Sequence, residues 1–263
     1  MAESLFEPDG ARFVPTELAR GPWSPDALHG GPVAALLARL AAAVDAEQPM
    51  HPARLTIELL RPVPLAPLTA TTRVLRPGRK VQLVEASLHS ATHEVARVTM
   101  LRIRTEALAL PVGLGDAPVH PGPTTAAPLR PGFGGAIVAF HSHATEHRAV
   151  RGSWTEPGPV VDWVRLRYPV LPGETPSPLE RVAAVADFGN GVSWVLPFDE
   201  WTFINPDLTI VLHRLPVGEW VCLDAVTLPG PDGVGLAESA LHDEHGRIGR
   251  AVQTLLLERR AGS

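Results

Sequence analysis

The sequence predicts an α+β fold made of two related halves, each a central helix wrapped by a curved antiparallel β-sheet. Three observations predict it. First, residues 54–104 align without a gap on a later stretch of the same chain. Leu55-Thr56-Ile57 meets Leu208-Thr209-Ile210, Leu59 and Arg61 meet Leu212 and Arg214, and Val81, Leu83 and Glu85 meet Val234, Leu236 and Glu238. Leu88-His89 meets Leu241-His242, and Arg97 meets Arg250. About a dozen identities in roughly fifty positions exceed what chance readily gives. Second, the order strand, helix, four strands occurs twice. Third, the connections between successive strands are short, which implies antiparallel neighbours. A repeat of this length is a domain, so the chain divides into halves at 1–110 and 133–263, with a Pro/Gly-rich linker at 111–132.

The first half opens with extended pieces at Ser4–Phe6 and Arg12–Pro15, then a Gly/Pro-rich loop running to His29-Gly30-Gly31-Pro32. Val33, Leu36, Leu37, Leu40, Ala41 and Val44 recur at helical spacing and form one apolar stripe. Pro32 suits the first helical position, where a missing N–H costs nothing. Four strands follow, near 54–60, 68–75, 81–90 and 95–104. The second half restarts with strands at Ala136–Thr145 and Val160–Tyr168. A shorter helix over Ser177–Phe188 is entered at Pro176 and Ser177 and stopped by Gly189. Strands near 202–213 (broken at Asn205-Pro206), 219–228, 234–242 and 248–258 complete it. Asp232-Gly233 and His245-Gly246 are hairpin turns.

Composition excludes several classes. In 263 residues, 45% are hydrophobic and 19% charged, as in a globular domain pair. A net charge of −5 without a basic run argues against nucleic acid as a partner. No apolar run is long enough to span a membrane. The acidic start, Met1-Ala2-Glu3-Ser4-Leu5-Phe6-Glu7, is unlike a signal peptide, so a cytoplasmic location is expected. The one cysteine, Cys222, excludes an internal disulfide and is read as a small buried hydrophobe.

Several pieces together carry a family resemblance. They are Gly30-Gly31 at the first helix, Leu59-Leu60-Arg61-Pro62 closing a strand, Trp163-Val164-Arg165, Ala186-Asp187-Phe188, His213-Arg214, and Val252-Gln253 in the last strand. In this order the chain resembles the double-hotdog acyl-CoA thioesterases of the thioesterase II (TesB-like) group. The resemblance implies hydrolysis of an acyl-CoA or related acyl thioester to an acid and free thiol, with no cofactor and no metal. It also implies a catalytic set of Asp187, Asn205 and Gln253. Asn205 departs from the family's Thr or Ser, although an amide still offers a donor and an acceptor to hold water. Thr202 and Ser193 lie nearby in sequence as alternative hydroxyls. A homo-oligomer is left open.

The chemistry follows from comparing the halves. Thioester hydrolysis needs the carbonyl polarised and a water deprotonated. Gly30 and Gly31 at a helix N-terminus offer amide donors and close approach. Asp187 is the candidate general base, with Gln253 and Asn205 orienting the water. The first half has the glycine turn but Ala38 and Arg39 where an acid would sit. The second has Asp187 but Thr175-Pro176-Ser177-Pro178 before its helix, and Gln253 falls opposite Met100. The pieces complement each other once, predicting one site between the halves. His29 is a further candidate for substrate contact, and Gly78-Arg79-Lys80 places Arg79 as a candidate for the CoA phosphates. His141 and His143 would share a strand face as an incomplete metal pair. Trp194 and Trp201 either wall an acyl tunnel or pack as core. Two alternatives stand beside hydrolysis: an enoyl-thioester hydratase built on His29 and Asp187, and a non-catalytic acyl-thioester binding module.

Overall fold

A computed structural model describes residues 3–111, 119–129 and 137–260. Residues 112–118 and 130–136, which include parts of the expected linker and Ala136 of an expected strand, lie outside the described residues. The first half contains β1 (Phe6–Asp9), β2 (Arg12–Pro15), α1 (Gly30–Ala42), β3 (Met50–Leu59), β4 (Leu68–Arg76), β5 (Val81–Ser90) and β6 (His93–Arg104). The second contains β7 (Ala127–Leu129), β8 (Thr145–Arg151), β9 (Val160–Leu166), α2 (Pro178–Ala186), α3 (Gly189–Val192), β10 (Trp201–Ile204), β11 (Asp207–Leu212), β12 (Val221–Pro229), β13 (Val234–Asp243) and β14 (Gly246–Arg259). Strands β4 and β5 occupy the same span of the repeat as β12 and β13, and β3 ends where β11 ends.

All these strands form one antiparallel sheet in the order β1-β2-β4-β5-β6-β3-β11-β14-β13-β12-β9-β8-β7, with β10 pairing β14. The halves join at β3 and β11. Thr56 lies opposite Thr209, Leu55 opposite Ile210 and Ile57 opposite Leu208. Thr56 therefore pairs with its own repeat counterpart, and Leu55 and Ile57 each pair with the counterpart of the other, which places a pseudo-two-fold axis at Thr56–Thr209. Helices α1 and α2 pack on one another and on this sheet, and a single apolar core runs through both halves. Val33, Leu36, Leu37 and Ala41 of the α1 stripe are buried, with Leu40 and Val44 packed against the core. Each fully buried leucine contributes about 1.5–3 kcal/mol.

Four local expectations are corrected. The first helix begins at Gly30 with His29 as its cap, so Pro32 is its third residue. Proline is tolerated there because the N–H groups of a helix's first turn have no carbonyl partner. Gly189 does not stop the second helix region; the chain takes another turn through α3. In place of a strand before Thr145, Phe140–Ala144 forms a π-helical turn, so His141 and His143 do not share a strand face. Within the expected linker, Ala127–Leu129 pairs with β8 as an edge strand.

The repeat also preserves a defect. Pairing along β3 and β6 slips between Pro52 and Arg54. At the equivalent place, Ile204 pairs with Leu256 and Thr209 with Val252, which leaves one extra residue near Asn205. A bulge re-aims the side chains beside it. In the first half this position presents buried Pro52; in the second it presents Asn205.

Candidate active site

The capped end of α2 supplies the acid. Asp187 is the C-cap residue, with Ser177 and Glu180 forming a capping box at the other end. Its side chain is 5% exposed. Asn205 Nδ2, turned inward at the bulge, donates to Asp187 Oδ1 at 2.9 Å. Gln253 Nε2 on β14 donates to the same oxygen at 3.3 Å and to the Asp187 backbone carbonyl at 3.2 Å. Gln253 Oε1 accepts from the Asn190 amide at 3.1 Å. Gly189 makes room for this, since a β-carbon there would lie 2.9 Å from Gln253 Oε1.

The first half meets this carboxylate from the opposite side. A β-carbon on Gly30 would lie 2.7 Å from both carboxylate oxygens of Asp187. His29 Nδ1 lies 2.9 Å from Asp187 Oδ2 and 3.0 Å from the Gly31 amide nitrogen. One ring nitrogen serves one of these at a time: bare, it accepts from Gly31; protonated, it donates to Asp187.

Asp187, His29, Gly30 and Asn205 share the wall of a cavity of about 340 Å³. The rest of the wall is mostly apolar and aromatic, including Trp23, Leu28, Trp154, Phe188 and Phe198. The other sequence candidates stand elsewhere. Gly31 packs behind the wall: a β-carbon there would meet the Ala184 carbonyl at 2.6 Å and the Phe140 ring at 2.7 Å. Gln253 is 1% exposed and stands behind the wall, bonded to the wall residues Asp187 and Asn190. Arg79 is 84% exposed, 3.8 Å from Glu47, and outside the cavity wall. Thr202 and Ser193 are also outside it; Ser193 bonds Thr227 at 2.8 Å. Trp194 joins Trp23 and Phe198 in an aromatic cluster, of which Trp23 and Phe198 reach the wall.

The wall also holds two residues that the sequence did not assign to it. His141 enters it from the π-helical turn, and π-turns frequently mark functional sites. Asn190, in the turn after Asp187, carried no sequence signal of its own. The symmetric position is closed. The first residue of α2 is Pro178, the Glu180 carboxylate folds back on the Ser177 amide, and Arg39 donates to Glu180 at 3.0 Å and to Glu174 at 2.8 Å. A carboxylate and its arginine thus occupy the helix start where a glycine turn would receive a substrate.

Residues 19–103 match the model of the acyl-CoA thioesterase N-terminal domain, and residues 114–257 match that of the acyl-CoA thioesterase C-terminal domain. The chain belongs to the acyl-CoA thioesterase family. Solved structures extend the likeness over the whole thioesterase-family chain. A candidate thioesterase II of Thermobifida fusca YX superposes with a TM-score of 0.75 at 19% identity, covering 98% of this chain and 96% of its own. A hotdog-fold protein of unknown function from Alicyclobacillus acidocaldarius gives 0.70 at 18% identity, with the same 98% and 96% coverage. The acyl-CoA thioesterase II TesB2 of Mycobacterium marinum gives 0.68 at 14% identity, covering 97% and 96%. At these identities the structures establish the double-hotdog fold. No curated protein sequence matches the chain.

Proposed function

We propose that this chain hydrolyses an acyl-CoA thioester to a carboxylic acid and free CoA. One observation carries the reading. A buried carboxylate, Asp187, touches a bare glycine at a helix N-terminus, and both line an apolar cavity sized for a small ligand. Asn205 spends its N–H groups on Asp187 Oδ1 and the Asp207 carbonyl, leaving its side-chain carbonyl to accept from water. Water held between that carbonyl and Asp187 gives its proton to Asp187 as it attacks the thioester carbon. The Gly30 amide and the α1 dipole face the charge growing on the carbonyl oxygen. Gln253 fixes the carboxylate from behind. As the carbon–sulfur bond breaks, the thiolate recovers the proton from Asp187.

Thiol release from a panel of acyl-CoA chain lengths tests this. Asp187→Asn is expected to lower kcat by about 10³-fold. Full turnover in that variant would remove Asp187 as the base.

The 2.9 Å contact between His29 and Asp187 favours a second reading, a hydratase dyad. An enoyl-CoA that loses its enoyl absorbance without releasing thiol would select it. Binding of acyl-CoA with neither reaction would leave a binding module.

A further inference from the structure

The repeat places Arg61 and Arg214 at the same point, two residues beyond the ends of β3 and β11. The two arginines have diverged. Arg214 grips Asp243 with both terminal nitrogens, Nη2 donating to Oδ1 at 2.6 Å, and also donates to the Gly246 carbonyl at 3.0 Å. The Asp243 carboxylate is fully buried and accepts the Val217 and His245 amides at 2.9 Å each. Arg214 is therefore part of the fold, clamping the β13–β14 turn.

In the first half the counterpart of Asp243 is Ser90, so the acid is gone. The Arg61 guanidinium forms no hydrogen bond or ion pair among the described residues, and the side chain is exposed. Yet Arg61 belongs to the cavity wall, alongside Leu60, Pro62, Ile204 and Pro206, which are exposed too and mark the mouth. Among the described wall residues, the one carboxylate is Asp187, buried at depth, and the one guanidinium is Arg61, at the rim. The thioester a cavity of this kind would take hangs on a neutral pantetheine arm that ends in phosphate. A chain of net charge −5 repels such an anion unless a local cation receives it. Arginine suits phosphate because its planar fork donates two hydrogen bonds at once.

We propose that Arg61, freed from the structural duty its twin retains, binds a phosphate of the thioester carrier at the cavity mouth. The inference rests on the thioester reading of the site, but it is tested without turnover. Calorimetric titration with CoA, 4′-phosphopantetheine and pantetheine compares wild type with Arg61→Gln and Arg61→Lys. Arg61→Gln is expected to raise the Kd for CoA roughly tenfold and leave that for pantetheine unchanged. Arg61→Lys recovers part of the loss, and the gap between wild type and Arg61→Gln closes as salt rises. An equal loss for 4′-phosphopantetheine assigns the contact to the phosphate that carrier proteins share; a loss confined to CoA assigns it to the nucleotide phosphates. No change in CoA affinity, an equal loss for CoA and pantetheine, or no binding of either phosphate-bearing ligand to folded wild type would each overturn the proposal. Arg61-dependent CoA binding without thiol release would instead count against hydrolysis alone.

Discussion

Gly30 and Asp187 come from different halves and touch: a β-carbon on Gly30 would sit 2.7 Å from either oxygen of the Asp187 carboxylate. No side chain fits at residue 30 without moving that carboxylate away from His29 and Asn205. Gly30→Ala is therefore expected to fold and to lose about 10²-fold in kcat, because a displacement of about 1 Å at the reacting groups costs that much. Steady-state kinetics beside a melting curve checks it; wild-type kcat would show that the contact does not govern the reaction.

Gly31 answers to packing instead. Its neighbours are the Ala184 carbonyl at 2.6 Å and the Phe140 ring at 2.7 Å, so α1 and α2 approach only because it is bare. Gly31→Ala is expected to destabilise the fold by about 1–3 kcal/mol through overpacking. Urea unfolding measures this, and unchanged stability would mean the helices can part at no cost.

Gln253→Met copies the first half, where Met100 holds the equivalent strand position. The change strips a donor from Asp187 and leaves the buried Asn190 amide without its acceptor. Stability should fall by about 1–3 kcal/mol and kcat by about 10²-fold. If KM rises while kcat holds, Gln253 contributes to binding rather than to placing the carboxylate.

Acid sensitivity has a named contributor away from the site. Burial, with the His120 ring 4.6 Å away, lowers the His242 pKa to about 4 from an ordinary 6.5. Between those values the unfolded chain binds a proton that the folded chain refuses, so stability falls as pH drops from about 6.5 toward 4. His242→Gln should flatten that part of a plot of melting temperature against pH. An identical slope would place the acid sensitivity elsewhere.

The internal repeat made much of this legible beforehand. Matching Leu55-Thr56-Ile57 to Leu208-Thr209-Ile210 revealed the repeat, because the same alternation must bury the same face in both copies; that these two strands pair as the central seam came only from the structure. The mismatch of Gln253 with Met100 pointed to the half carrying the acid's partners. The bulge that aims Asn205 was visible only as Asn205-Pro206 interrupting a strand. His141 was misplaced onto a strand because a π-helical turn has no periodic signature in five residues.

The sequence by itself determined the two-fold plan, the succession of helix and strands along each half, and the unequal distribution of glycine turn and acid, since these follow from periodicity and from comparison of one copy with the other; its expectation that successive strands are neighbours fails at β3, which pairs with β6 and β11 instead of β4, and at β11, which pairs with β3 and β14 instead of β12. Only the tertiary structure decided that Gly30 rather than Gly31 faces the cavity, that Gln253 supports the acid from behind, and that Arg61 stands at the mouth while Arg79 does not. Those distinctions depend on how closely helices and strands from opposite halves approach, a matter of a few ångströms between residues far apart in the chain, which no local pattern encodes.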